Sequence, residues 1–281
     1  MKKIGHMSSL GRICSLFTLG VAYSAASWAG SIAYTDFSSV AGLQLNGSAS
    51  KSGNTLRLTP ASYYQGGSAF STSPVALSSA GSFSTYFQFR IGNNGSFGDS
   101  DGPGADGLAF VLQSQANTAG SAGGGIGYGG LSPSLAIEFD TFWNGGDPNG
   151  NHVGINVNGD LQSVASKTEA TRFNDGDSWH AWVDYNGASG LLEVRWSQTK
   201  TRPVASMLTN SVNLTSVFGG SPNVFAGFTA ATGLGVSEHD ILSWEFRDDF
   251  RPISSVPEPG TSLVAAAILG GLFWRRAGGR R

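Results

Sequence analysis

The sequence predicts an all-β fold, an antiparallel β-sandwich built as a jelly roll from two sheets, and three observations predict it. Short runs of alternating apolar and polar residues recur along the chain, so one face of each run turns toward a core. Clusters of Gly, Ser and Asn separate those runs as turns, drawn from 41 Gly among 281 residues. Between residues 30 and 253 no stretch keeps a helical period. Once the ends are set aside, about 220 residues remain, an ordinary size for one large sandwich and enough to bury a core unaided.

Residues 1–29 read as a secretory signal peptide. Lys2, Lys3 and Arg12 supply positive charge, residues 13–22 are the apolar run, and Ser27-Trp28-Ala29 places small residues where a signal peptidase cuts. Cys14 is the sole cysteine and lies inside that leader. Ile13 precedes it, where a lipoprotein signal carries a small residue. The exported domain therefore has no disulfide and is held by packing and by metal. Within the domain, TLRLTP (55–60) is a strand ended by Pro60. Residues 82–91 alternate, with Phe83, Thr85, Phe87, Phe89 and Ile91 on one face. Trp182-Val183-Asp184-Tyr185, a turn at Asn186-Gly187, and 191–196 form a hairpin. Trp179, Trp182 and Trp196 are read as structural, since core tryptophans outnumber ligand platforms. The last strand is expected to carry Ile241, Ser243 and Glu245 on one face and Leu242, Trp244 and Phe246 on the other. A formal net charge of -2, with no basic cluster inside the domain, argues against nucleic acid as a partner.

The stretch 135–159, LAIEFDTFWNGGDPNGNHVGINVNG, carries the chemistry. Alternation turns Leu135, Ile137 and Phe139 inward and puts Glu138 and Asp140 on the opposite face. A loop with Asn144 and Asp147 follows. His152 then opens a second alternating run, in which Val153, Ile155 and Val157 turn inward, and hairpin pairing would bring His152 to the face of the carboxylates. Carboxylates, an amide oxygen and backbone carbonyls suit Ca2+, and the imidazole admits a transition metal such as Mn2+. Asp, Asn and Gly also furnish any surface hairpin loop, so residue types alone leave metal and plain loop evenly balanced.

Residues 135–141, LAIEFDT, resemble the signature of the legume-type (L-type) lectins, with Ile137 where Val is usual. The resemblance implies that Glu138, Asp140, Asp147 and His152 hold a transition metal, and that Asp140, Asn144, Asp147 and the Phe142 carbonyl hold Ca2+. The segment between Asp147 and His152 is about one residue shorter than in the plant proteins, which bears on the transition-metal half. Further matches run in family order. A Phe-containing first strand at Phe37 leads to Leu43, Leu45, Asn46 and Gly47. Residues 105–110, ADGLAF, imply a cis Ala105–Asp106 peptide and an Asp106 that accepts hydrogen bonds from two sugar hydroxyls. The run GSAGGGIGYGG lacks the GK[ST] ending of a phosphate loop. Its Ile126-Gly127 matches the family's LG, implying a backbone donor at Gly124, with Gly123 and Gly125 as neighbouring alternatives; Gly lets backbone approach a ligand closely. Phe142 would offer a ring face and Asn144 an acceptor. The loop 233–236, with Leu234 and Gly235, sits where these lectins choose among sugars.

Residues 254–281 form a separate unit: Pro257-Glu258-Pro259, an apolar segment 261–274, then Arg275, Arg276, Arg280 and Arg281. At about 21 Å as a helix, the segment falls short of a roughly 30 Å hydrocarbon core. This order resembles the PEP-CTERM sorting signal of exopolysaccharide-producing Gram-negative bacteria, which implies an exosortase-type processing enzyme and membrane contact before processing. The simple alternative is a C-terminal anchor with its arginines in the cytoplasm.

Three functions follow. The first is an exported, Ca2+-dependent carbohydrate-binding protein of the cell surface or exopolysaccharide matrix, and not an enzyme. The second is a matrix protein that keeps the fold without the sugar. The third is a jelly-roll glycosidase; those enzymes use E-x-D-x-x-E, and here Trp143 stands at the third acidic place. The family habit of pairing through back sheets implies a homo-oligomer, although no surface in the sequence marks one.

Overall fold

A computed structural model of the chain describes residues 31–77, 81–118, 120–220 and 223–254. The segment read as a signal peptide, with Cys14, and the segment beyond Ser254 read as a sorting tail lie outside the described residues. The sandwich has two large antiparallel sheets. The back sheet runs Leu208–Ser211, Leu191–Ser197, Ser178–Asn186, Phe83–Gly92, Glu238–Arg247, Thr55–Thr59, Ser50–Ser52, with Ile32–Tyr34 also on Glu238–Arg247. The front sheet runs Ala165–Thr168, His152–Val157, Ser134–Asp140, Gly107–Gln113, Asn223–Ala231, Gly66–Ser71, Leu43–Gly47, and Val75–Ala76 also pairs with Asn223–Ala231. A small ribbon, Gly98–Asp99 with Gly102–Pro103, stands apart. One helical turn, Leu214–Val217, is capped by the Asn213 side chain on Ser216 N–H. Central strands pair with strands far away in sequence, as jelly-roll connectivity requires.

Alternation builds the core as expected. Leu56, Leu58, Phe83, Phe87, Phe89 and Ile91 meet Leu108, Phe110, Leu135, Ile137, Phe139, Val153, Ile155 and Phe228, all fully buried. Rings interlock across the two sheets: Phe87 and Phe228 centroids lie 5.0 Å apart, Phe89 and Phe139 4.8 Å. Thr85, the polar member of its face, is satisfied by Trp244 Nε1–H at 3.0 Å and donates to Glu245 O at 2.8 Å. Trp179 and Trp196 join this core. Trp182 instead is buried with Tyr86 and Ile253 in a separate cluster.

Two expectations are corrected. Phe37 is not in a strand: the first strand is Ile32–Tyr34, and Phe37 is buried from the following bend, stacked on Tyr34 at 5.0 Å. In the last strand the pairing with Phe83–Gly92 skips a residue between Ile241 and Ser243. This β-bulge shifts the phase, so Ile241, opposite Phe89, shares the core face with Trp244, opposite Phe87, while Ser243 and Glu245 face outward.

Candidate functional site

The site lies on the outer face of the front sheet, where Ser134–Asp140 ends between its neighbours. Asp140 pairs with His152 on one side and with Gly107 on the other. The register therefore puts His152 on the carboxylate face, as hairpin pairing requires. An outer sheet face is ordinarily wet, yet Glu138, Asp140 and His152 are all buried here. Residues 121–131 fold over it: Ile126 and Tyr128 pack on Phe70, Ala109, Val111 and Ala136 in a second, smaller apolar cluster.

Burial brings the acids into conflict. Desolvation raises the Asp140 carboxyl well above its usual range, and the charges of Glu138, Asp147 and Asp106 add to the rise. Asp147 is raised as well, by burial first. Few donors offset this: Phe142 N–H donates to Asp140 at 2.8 Å, and Asn144 N–H to Asp147 at 2.7 Å. Glu138 accepts from the Tyr128 hydroxyl on one oxygen and from Ser163 at 2.9 Å on the other.

The donor set fits metal ions. His152 Nδ1 lies 3.1 Å from the Asn149 carbonyl, and since a carbonyl only accepts, Nδ1 carries the hydrogen and Nε2 is left as the atom that could bind a metal. Nε2 stands 3.5 Å from a Glu138 oxygen, a spacing open to two ligands each about 2.1 Å from one ion. The Asn144 amide nitrogen faces the Phe142 carbonyl at 3.1 Å. Turned over, that amide would set two neutral oxygens side by side next to Asp140 and Asp147, the kind of shell Ca2+ takes. Among the described residues no three His, Cys, Asp or Glu side chains converge on one point, so the set Glu138, Asp140, Asp147 and His152 is not gathered around a single ion position here.

Next to this cluster the Ala105–Asp106 peptide is cis. Asp106 N–H donates to Ala231 O at 2.9 Å, and Asp106 O accepts from Thr141 at 3.0 Å, which ties it to both flanking strands. Its Oδ2 is buried and has no hydrogen-bond partner among the described residues, and burial pushes its carboxyl up to about 7. Glycines surround it. A Cβ on Gly233 would lie 3.4 Å from that oxygen, and one on Gly235 would lie 2.6 Å from Ala105 Cβ. Gly124 sits so close to Asn144 that a Cβ there would meet Oδ1 at 2.7 Å. Gly123 N–H is taken by Thr232 O at 3.1 Å, which removes it as a donor. Leu234 is half exposed at the rim and Phe142 partly so. The site residues read from the sequence thus form two adjoining groups, the carboxylate and histidine cluster around Asp140 and the group around Asp106, with Gly124 against Asn144.

Sequence reasoning missed the residues that brace this loop. Asp99 accepts from Trp143 N–H at 2.6 Å, and Asp101 accepts from Gly150 N–H at 2.9 Å, so the small ribbon clamps residues 143–150. Tyr128 and Ser163 were missed too. Tyr128 hides in a glycine run and the others in unremarkable loops, and only the fold brings Tyr128 and Ser163 to Glu138 and Asp99 and Asp101 to the loop 143–150.

A model of the legume lectin domain family matches residues 29–260. An L-type lectin-domain containing receptor kinase of Arabidopsis thaliana is 31% identical over 76% of this chain, and this chain spans 30% of its length. A lectin of Leucomphalos mildbraedii is 35% identical over 65% of this chain and 78% of its own. A solved lectin of Bauhinia forficata in complex with GalNAc superposes with a TM-score of 0.65 at 28% identity, covering 77% of this chain and 96% of that one.

Proposed function

The chain belongs to the legume lectin domain family, and from that premise we propose that it is an exported, Ca2+-dependent carbohydrate-binding protein of the cell surface or exopolysaccharide matrix. One observation carries the sugar site: the buried, unpaired Asp106 carboxylate oxygen between Gly233 and the Gly124–Asn144 contact. A buried acceptor without a donor is costly, and sugar hydroxyls are the donors that fit. Asp106 accepts from two hydroxyls; Asn144, expected from the sequence to accept, instead donates its amide N–H once its oxygen is on Ca2+; Gly124 N–H donates, and Phe142 offers a ring to the apolar face of the pyranose. Leu234 and Gly235 line the edge that chooses among sugars.

Legume lectins generally bind Ca2+ and Mn2+. Here Asp140, Asn144, Asp147 and the Phe142 carbonyl would hold Ca2+, and Glu138, Asp140, Asp147 and His152 the transition metal. The ions supply positive charge to a crowded set of acids and so allow them to stay ionised. Asn144 is shared by both groups, so ordering the metal loop also places an amide donor for the sugar. Trp143, with its indole N–H on the Asp147 carbonyl at 3.3 Å, occupies the third acidic place of the glycosidase pattern, and a binding module rather than a hydrolase follows. The leader 1–29 and the tail 254–281 support export and exosortase-type sorting, with membrane contact through the tail before processing.

A single pyranose held by these few contacts binds at about millimolar Kd, and repeated sugars on a polysaccharide strengthen it through multivalency. The test is a glycan array probed with the full chain and Asp106→Ala, both in Ca2+. Signals are expected to fall about 100-fold in the variant. Equal signals would remove the sugar site and leave a matrix protein with a lectin fold.

A further inference from the structure

We propose that Tyr63 and Tyr64, on the loop bonded to Gly233 beside Asp106, form an aromatic platform that takes a second ring of an oligosaccharide, an inference that rests on the carbohydrate-binding reading. Both side chains are well exposed, 65% and 63%. Adjacent in sequence, they place two exposed aromatic rings on one loop. Tyr64 also holds φ +53, a region that Gly and Asn fill more readily.

Their loop is fastened to the walls of the sugar site. Tyr64 N–H donates to Gly233 O at 3.1 Å, and Gln65 N–H to Thr232 Oγ1 at 2.9 Å. Thr232 returns its own N–H to Gln65 O at 2.9 Å and its hydroxyl to Ser62 O at 2.6 Å. Gly233 is the residue whose missing side chain leaves room beside Asp106 Oδ2. On its other flank the loop runs into Gly66, where a Cβ would meet the Ser121 backbone at 2.5 Å, so it also abuts the glycine-rich segment leading to Gly124. The loop that carries the tyrosine pair thus touches both Gly233 and the segment leading to Gly124.

The chemistry matches a sugar ring. A pyranose presents a C–H face edged by hydroxyls, and tyrosine presents a flat apolar body with a polar tip. Two residues are far too small a patch for a protein partner, which needs about 800 Å² a side.

The experiment measures Kd for the full chain in Ca2+ against galactose, N-acetylgalactosamine, mannose and glucose, and against α- and β-linked linear tetramers of each. For the sugar bound best, the tetramer is expected to bind at least about tenfold tighter than the monosaccharide. Counting rings alone gives roughly fourfold. Tyr63→Ala/Tyr64→Asn should reduce the preference to that counting value and leave the monosaccharide Kd unchanged. Tyr63→Phe/Tyr64→Phe should keep the preference. Tyr63→Ala alone serves if the double variant melts early, and should lower the preference part of the way. A tetramer preference that survives loss of the rings overturns the platform, as does a wild type with no preference beyond counting. A wild type that binds neither monosaccharides nor tetramers overturns the carbohydrate reading itself, a separate result.

Discussion

Asp106 combines burial, a raised proton affinity and an unpaired oxygen, and each bears on how it would hold a sugar. Only the ionised carboxylate accepts from two hydroxyls. Desolvation holds that carboxyl up at about 7 before any ion binds, and a cation bound beside it lowers it, so in saturating Ca2+ sugar affinity should fall only at acid pH, by about tenfold per unit below the carboxyl's value in the loaded protein. Isothermal titration across pH 5 to 8 checks this, and Asp106→Asn, which has no charge to lose, should give a weak and flat profile. Asp140 is the residue on which the metal reading turns, because it faces Glu138, Asp147 and Asp106 at once. Ca2+ at a hundredfold excess over its Kd stabilises the native state by about 2.7 kcal/mol. Thermal melts of the full chain should rise with added Ca2+, and Asp140→Ala should abolish the rise. A Ca2+ shift that persists in the variant would sink this ligand assignment.

Among the elements, the strands were readable and the loops were not. Period two is a local property, so Phe83–Gly92 and Ser134–Asp140 present the expected faces without reference to the rest of the chain. Glu238–Arg247 broke the pattern because a single unpaired residue at Leu242 reverses the alternation, and a bulge leaves no mark in composition. Glycines separate the two kinds of element experimentally. A Cβ at Gly124 meets the end of the Asn144 side chain, which can swing aside, so Gly124→Ala should weaken sugar binding about tenfold with little change in melting temperature. A Cβ at Gly227 would lie 2.1 Å from the Ala69 carbonyl inside the front sheet, where nothing can move alone. Gly227→Ala should therefore destabilise the fold by about 3 kcal/mol or more, read by urea unfolding.

For the whole molecule, acid sensitivity follows from buried imidazoles. His239 is fully buried against Thr59 Oγ1 at 2.6 Å, and desolvation pushes it down to about 3; His180, bonded to Tyr86, is pushed down to about 4, again mainly by burial. Each would titrate near its ordinary 6.5 once unfolded. The unfolded chain therefore binds protons that the native chain refuses. Stability that is fully present above that value is lost as pH falls from it toward 3. His239→Gln should melt below wild type at pH 8, and the gap should narrow as pH falls to 4, a difference that cancels the titrations the two proteins share.

The sequence by itself determined the sandwich, the core faces of most strands, and the order of acids, amide, imidazole and glycines that compose the site. Those features rest on strand geometry and residue chemistry, both local. Only the tertiary structure decided that the outer face at Glu138 and Asp140 is buried, that Tyr128 and Ser163 hold Glu138, that Asp99 and Asp101 brace the metal loop, and that Tyr63 and Tyr64 stand beside Gly233. These contacts join segments from distant parts of the chain. Which loops meet is set by sheet order and by pairings such as Gly107–Gln113 with Asn223–Ala231, and no local pattern encodes them.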